Sequence, residues 1–476
     1  MAPYPTAILE NEMRLLPQVP PTAEQLALLT ENKPGVLLIK GAAGSGKTTT
    51  ALLRLRQLCA FWLNRKARLD LPGPVRVLVL TFNTTLKGYI EALAKEQIKE
   101  LEGLELRVVT FAKFARDLAS ETVNLEPDYC EALLRGLCRK FGGDLDFVKD
   151  EVEYVISRLE PENLEDYIGL RRIGRGQSPR MEAVTRRRLL DEVIYPYRDR
   201  KAEFGWSDWN DLAVAANKIS AEPWDVVVID ETQDFSANQL RTVMAHVAAD
   251  HQVTFVMDAA QQIYPRGFTW REANAAPNTT RTLKKNYRNT REIAAFARPF
   301  VEGLEIGDDG ELPDFTAATR SGPLPTVLTG LYNGQLTWAI ENVVKPAVAA
   351  NESVAFLKPR GGRWFDTVRT RLDAELISWV ELTQKSTWPG GDEHVAISTL
   401  HSAKGLEFDH VILLGLNQQV TPHGEEAGDS QFESLRRLVA MGLGRARTSV
   451  TIGYKKSEAS SVIALMNDGT YTEVGV

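Results

Sequence analysis

Cysteine and histidine are scarce in this chain of 476 residues, with three of the first and six of the second. Cys59, Cys130 and Cys138 are odd in number and form no C-x-x-C pair, which argues against a disulfide framework and fits reduced, structural thiols. The histidines show no paired spacing of the kind a zinc site uses. No apolar run approaches the roughly 18–20 residues of a membrane span. The opening MAPYPTAILENEMRLL lacks a basic segment leading into an apolar one, so no secretory signal is expected. These absences lead to the expectation of a cytoplasmic protein with no membrane partner. Positive charge is not in excess either: the net charge is −7. That argues mildly against a nucleic-acid partner, although a local basic groove can coexist with an acidic whole. The segment RRIGRGQSPRMEAVTRRR, residues 171–188, holds seven arginines against one acid. It reads as a solvated face or as a phosphate-tracking surface.

What the chain does contain is a series of short apolar runs. They are Val36–Ile39, Val75–Leu80, Arg107–Val109, Val226–Ile229, Val253–Met257, Val354–Leu357, Val395–Ile397 and Val411–Leu414. Such runs fit strands buried on both faces of a parallel sheet. Helical patterns separate many of them, as in TTTALLRLRQLCAFWL, so an α/β architecture is expected. Residues 114–206 lack strand runs and read as a helical insertion. A second set of strands begins after residue 283. The expected organisation is a first α/β domain from residues 1–113 and 207–283, a helical subdomain at 114–206, and a second α/β domain at 284–476.

Two motifs carry chemistry. GAAGSGKT, Gly41 to Thr48, follows the strand-like GVLLIK and opens a helical pattern, the required context for a phosphate-binding loop. Gly41, Gly44 and Gly46 let backbone N–H groups turn inward around phosphate oxygens. Lys47 can reach the β- and γ-phosphates, Thr48 can ligate Mg²⁺, and the helix start with Thr49 adds its positive dipole end. The second motif, IDETQD at 229–234, ends an apolar strand in carboxylates. Asp230 can hold Mg²⁺, and Glu231 stands where a base or water-orienting carboxylate is needed. Two adjacent acids repel unless a cation intervenes. ATP and Mg²⁺ are therefore the expected cofactors.

DETQD is more specific than a bare pair of acids, and with it the sequence resembles the UvrD/Rep/PcrA-like helicases of superfamily 1. Further matches follow in the family's order: Gln25 in PTAEQLALL, LTFNTTL (80–86), VVTFAKFA (108–115), VMDAAQQIY (256–264), LKKNYRNT (283–290), ISTLHSAKGLEFDHV (397–411) and ESLRRLVAMGLGRAR (433–447). The resemblance implies two RecA-like motor domains with parallel sheets plus a mainly helical inserted subdomain. It also implies roles. Gln25 reads adenine, Tyr287 stacks on it and Glu407 contacts the ribose. Gln261 senses the γ-phosphate, and Arg288 and Arg445 are arginine fingers from the second domain. Gln233 and Asp234 relay between hydrolysis and DNA. Phe82, Thr110, Phe111, Tyr264, Trp270 and His401 are its candidate nucleic-acid contacts.

The sequence departs from the family pattern in places. Ala112 stands at a common histidine, Ala440 and Gly444 at a common tyrosine and threonine, and Arg266 where the third motif carries a tryptophan. The interval from Arg288 to Thr399 is too short for the large accessory subdomain of UvrD and Rep. No nuclease cluster is evident. The function implied is an ATP-dependent translocase or helicase on single-stranded DNA, of 3′→5′ polarity. Its partners would be single-stranded or tailed duplex DNA, with RNA also open. The alternative is a nucleic-acid-stimulated ATPase that regulates a partner nuclease or a repair or defence protein.

Overall fold

A computed structural model of the chain describes residues 22–41, 45–81, 87, 90–91, 94–95, 97–172, 180–257, 267–283, 286–304, 318–359, 363–383, 393–404, 406–419 and 430–476. Two all-parallel sheets organise it. The first contains β1 (Gly35–Gly41), β2 (Val75–Thr81), β3 (Leu104–Thr110), β4 (Trp224–Ile229), β5 (Val247–Met257) and β6 (Thr279–Leu283), in the order β3-β2-β4-β5-β1-β6. Next in the chain come β7 (Asn286–Thr290) and β8 (Ala318–Arg320), which pair only with each other. The second sheet contains β9 (Thr326–Thr329), β10 (Val354–Lys358), β11 (Trp379–Glu381), β12 (Val395–Thr399), β13 (Phe408–Leu413), β14 (Ala446–Tyr454) and β15 (Thr472–Gly475). Its order is β11-β12-β10-β13-β14-β9-β15.

Parallel pairing requires a crossover between strands, and helices supply it on both faces. The strands between two helical layers are accordingly buried throughout and mostly apolar: all six residues of β4 and all five of β10 are buried. The fold is thus two parallel-sheet α/β domains with attached helices, as the α/β reading expects. Among the described residues, the interval from Arg291 to Thr399 is filled by helices and strands β8 to β12. Those described residues form no separate subdomain. Among the described residues no helix is long and apolar enough to cross a membrane.

Between β3 and β4 lie helices Phe111–Ala119, Pro127–Phe141, Leu145–Arg158, Ala183–Leu189, Tyr195–Phe204 and Trp209–Asn217. Phe111, Phe114, Ala115 and Ala119 pack with Leu212, Ala213 and Ala216 into the core under the first sheet. Cys130 through Tyr197 form a core of their own. Ala183 to Phe204 is one continuous rod broken by a π turn, Leu190–Ile194. The wider turn accommodates Pro196, which has no N–H to give an α-helical bond.

Four of the run's seven arginines pair within the insertion, Arg172 and Arg186 in its interior and Arg187 and Arg188 on its exposed face, which favours the solvated-face reading over the phosphate-tracking one. Arg172 pairs with buried Glu151 at 2.8 Å. Arg186 donates to the carbonyls of Tyr167 (2.9 Å), Leu170 (2.5 Å) and Met181 (2.7 Å). Arg187 grips Glu165 and Arg188 grips Glu192, each through two hydrogen bonds.

A buried polar clamp fixes this core to the first sheet's helices. Asn238 donates to the carbonyls of Ile156 (2.9 Å) and Leu159 (3.1 Å). Arg241 donates to Glu272 O (2.8 Å) and Arg158 O (3.0 Å), and Arg158 forms an ion pair with Glu272 at 2.8 Å. Removing one partner of such a pair leaves a desolvated charge without compensation. Arg158→Ala is therefore expected to destabilise the protein by about 3 kcal/mol, measured by urea unfolding. A loss under about 0.5 kcal/mol, the size of an exposed pair, would show that the clamp carries no load.

Candidate ATP site between the two sheets

The carboxyl ends of the first sheet's strands form one wall of the site. β1 ends at Gly41, and the helix Lys47–Leu69 starts directly after Gly46. Gly46 has φ 76°, in the left-handed region where a side chain is strained, and a Cβ there would sit 2.6 Å from Gln25 Nε2. At Gly41 a Cβ would lie 2.5 Å from Ser45 Oγ. Gln25 is buried, and its amide is already engaged: Oε1 accepts from Thr22 N at 2.9 Å and Nε2 donates to Gly46 O at 3.5 Å. It braces the loop as well as lying beside it.

Thr48 donates its hydroxyl to both oxygens of Asp230, at 3.0 and 3.2 Å. Asp230 is buried at the end of β4, and its N–H donates to Leu80 O on β2 at 2.9 Å. Burial, reinforced by the charge of Glu231 and opposed by the Thr48 hydroxyl and Lys47, pushes the Asp230 pKa up to about 7. Glu231 shifts the other way. Burial works against its charge, but Lys404, Arg445 and Lys47 outweigh it and hold the carboxyl below the ordinary glutamate range. Lys404 and Arg445 belong to the second sheet's unit. Glu231 also adopts φ 52°, ψ 44°, a left-handed conformation that costs a non-glycine residue about 1 kcal/mol or more. It sets the chain into the short 3₁₀ turn Thr232–Asp234. Gln233 donates to Glu231 at 2.5 Å, and buried Asp234 meets Lys404 Nζ at 2.6 Å.

The opposite wall comes from the loops after β12 and before β14. Arg445 is buried and bonds Met441 O at 3.3 Å. Phe408 N donates to Arg445 O at 3.0 Å. The half-buried Glu407 therefore directly precedes β13 beside the arginine. Buried Asn289 on β7 donates to Gly444 O (3.3 Å) and Ala446 O (2.6 Å), the carbonyls that flank Arg445. One side chain thus ties the NYRNT strand to the end of the GLGRAR segment.

The expected residues divide accordingly. Gln25, Gly41, Gly46, Lys47, Thr48, Asp230, Glu231 and Arg445 converge on this site. Thr49 follows in the first helical turn and is half-buried. Gly44, Phe82, Gln261 and Tyr264 lie outside the described residues, as do the side chains of Tyr287 and Arg288, whose backbone is in β7. Two nucleic-acid candidates need correction. Phe111 is core, in edge-to-face contact with Phe235 at 6.0 Å. Trp270 is core too, stacked on Phe255 at 5.1 Å. Their rings are consumed by packing and have no face to offer a base. Thr110 caps the following helix, accepting from Lys113 N at 3.3 Å, and His401 is half-buried. Lys404 and Asn289 escaped the sequence reading, although both stand inside quoted motifs.

The family "UvrD/REP helicase N-terminal domain" matches residues 22–287, and "UvrD-like helicase C-terminal domain" matches 371–457. Similar proteins include ATP-dependent DNA helicase PcrA of Bacillus subtilis, 41% identical over 76 residues, 16% of this chain and 10% of that protein. DNA helicase II of Haemophilus influenzae is 42% identical over 66 residues, 13% and 9% of the two chains. ATP-dependent DNA helicase Rep of Escherichia coli is 34% identical over 59 residues, 12% and 9%. The matched stretch is thus about a tenth of each relative's length. A solved structure, the C-terminal domain of a possible DNA helicase from Lactobacillus plantarum WCFS1, shares 21% identity. It covers 39% of this chain and 98% of its own, at a TM-score of 0.29.

Two predictions follow from the site's electrostatics and bracing. The raised Asp230 pKa means that its native-state proton stabilises the fold fully below about pH 4 and that this contribution is lost as pH rises through about 7. Asp230→Asn should therefore raise the melting temperature of the nucleotide-free protein more at about pH 8 than at about pH 6. An equal shift at both pH values would contradict the raised pKa. Asn289→Ala should loosen Arg445 and lower kcat about tenfold or more while leaving nucleotide affinity within about twofold. A change confined to affinity would contradict the bracing role.

Proposed function

The chain belongs to the UvrD/Rep helicase family, and from that premise we propose that it is an ATP-driven motor on single-stranded DNA, of 3′→5′ polarity. The observation that carries this reading is the convergence of charge on Glu231. Lys47 approaches from its own domain, and Lys404 and Arg445 approach from the other. A site completed by two domains makes turnover depend on how they meet, which is what coupling to movement requires. Lys47 and the helix N-terminus would hold the phosphates, and Arg445 would meet charge spreading over the transferred phosphoryl group. Glu231, kept ionised by the cations around it, is poised to orient or deprotonate the attacking water. Thr48 and Asp230 would hold Mg²⁺. Their convergence fits the ion, because the Thr48 hydroxyl and the two Asp230 carboxylate oxygens 3.0 and 3.2 Å from it are the hard oxygen donors that Mg²⁺ takes. Bound there, the ion would neutralise phosphate charge. For the domain division we keep the expected boundaries at 206 and 283 and move the one expected at 113 to follow the helix Phe111–Ala119, because that helix packs into the first sheet's core.

The arrangement between Arg291 and Thr399 favours a second reading. With no accessory subdomain among the described residues of that interval, the chain would serve as a DNA-stimulated ATPase for a partner nuclease or repair protein, with little unwinding of its own. Strand displacement on duplexes tailed at either end separates the two readings.

ATP turnover measured with single-stranded DNA, duplex DNA and RNA tests the shared core of both. We expect single-stranded DNA to stimulate most. Lys47→Ala, Glu231→Gln and Arg445→Ala should each lower kcat by about 10³ or more. Turnover indifferent to every nucleic acid, or an unimpaired Glu231→Gln, would refute the assignment.

A further inference from the structure

We propose that a stack of three rings at the neck of the helical insertion, Phe204–Trp206–Tyr129, is a second platform for unpaired bases. It would extend the nucleic-acid track beyond the motor domains. This rests on the reading of the chain as a DNA motor.

The neck is where the chain leaves the first domain and returns to it. The two passages pair side by side: Glu126 N donates to Ser207 O (2.9 Å), Ser207 N to Asn124 O (2.8 Å) and Asn124 Nδ2 to Gly205 O (3.2 Å). Trp206 stands on the return passage. Tyr129 stacks on it at 5.0 Å and 18°, and Phe204 at 4.6 Å and 28°. Both outer rings stack on the indole and make no ring contact with each other, which fits a stack with Trp206 at its centre. Tyr129 is 58% exposed and Phe204 52%. Trp209, three residues on, is 42% exposed with the Arg116 guanidinium 5.4 Å from its ring. Among the described residues these are the large aromatic side chains left exposed, and all three belong to this neck.

Exposed, mutually stacked rings leave flat outer faces, and a base added at either end continues the stack. Such platforms are tolerant of sequence because every base has a π-face. The charges nearby favour a polynucleotide over a protein. Arg116 and Arg200 are exposed, and neither meets a carboxylate among the described residues, unlike the internally paired Arg172, Arg186, Arg187 and Arg188. Arg200 lies one turn before Phe204 on the same helix face. The adjacent acids, Asp128 and Glu203, point about 100° away from their aromatic neighbours. A path also connects the platform to the motor. The helix Phe111–Ala119 is capped by Thr110, itself a candidate nucleic-acid contact, and carries Arg116 about 9 Å along its axis.

The test compares wild type with Tyr129→Ala/Phe204→Ala on oligothymidylates of about 8 and about 24 nucleotides. Binding of the long strand should weaken about tenfold or more, because each stacked base contributes on that scale. Short-strand affinity, and the turnover it stimulates, should be unchanged. The conservative Tyr129→Phe/Phe204→Tyr should restore long-strand binding, which excludes a folding defect. Unchanged long-strand affinity in the alanine variant overturns the proposal and leaves a protein-docking patch. Equal losses on both lengths overturn it too. If the wild type binds neither strand, the proposed function falls with it, whereas stimulation without length dependence removes only the platform.

Discussion

One ammonium group holds the two sheets to a common purpose. Lys404, from the loop after β12, reaches Asp234 at 2.6 Å and Glu231 at 3.7 Å on the turn after β4. All three side chains are nearly excluded from water. A cation from one domain therefore compensates buried acids of the other, and the Glu231 carboxylate stays ionised at the point where the proposed chemistry needs it. Without that contact, three adjoining acids, Asp230, Glu231 and Asp234, would share one desolvated turn.

The same constraint explains why the site is expensive to maintain. Glu231 is held in a left-handed conformation, and Asp230 is desolvated until its pKa stands near 7. Each feature lowers the stability of the nucleotide-free protein, and strain of this kind persists where function requires it. Around the strained turn the bracing is dense. Asn289 fixes the backbone on both sides of Arg445, Gln25 bonds the Gly46 carbonyl where the helix Lys47–Leu69 begins, and Gln233 is bonded to the Glu231 carboxylate two residues before it.

The sequence made the nucleotide half of this site readable because its logic is local. A strand, a glycine-bearing loop and a helix occupy consecutive residues, and the acids follow the apolar run of β4 directly. Strands buried on both faces were legible for the same reason. β6 (TTRTL) and β14 (ARTSVTIGY) were not, since their threonines, serine and arginines dilute the apolar pattern. The arginine run was ambiguous because its partners Glu151, Glu165 and Glu192 lie outside the run, where local charge density cannot reveal them. Phe111 and Trp270 show a related limit: a ring suited to a base is equally suited to a core. The roles of Lys404 and Asn289 depend on contacts between distant parts of the chain, which spacing alone does not encode.

The most direct test of the account is a double-mutant cycle on Lys404→Met and Asp234→Asn, read as the unfolding free energy of the nucleotide-free protein. Each single change strands a buried charge and should cost about 3 kcal/mol, whereas the pair together should cost far less than the sum, a coupling of about 1–3 kcal/mol. Losses that simply add would mean that the two domains do not communicate through this contact.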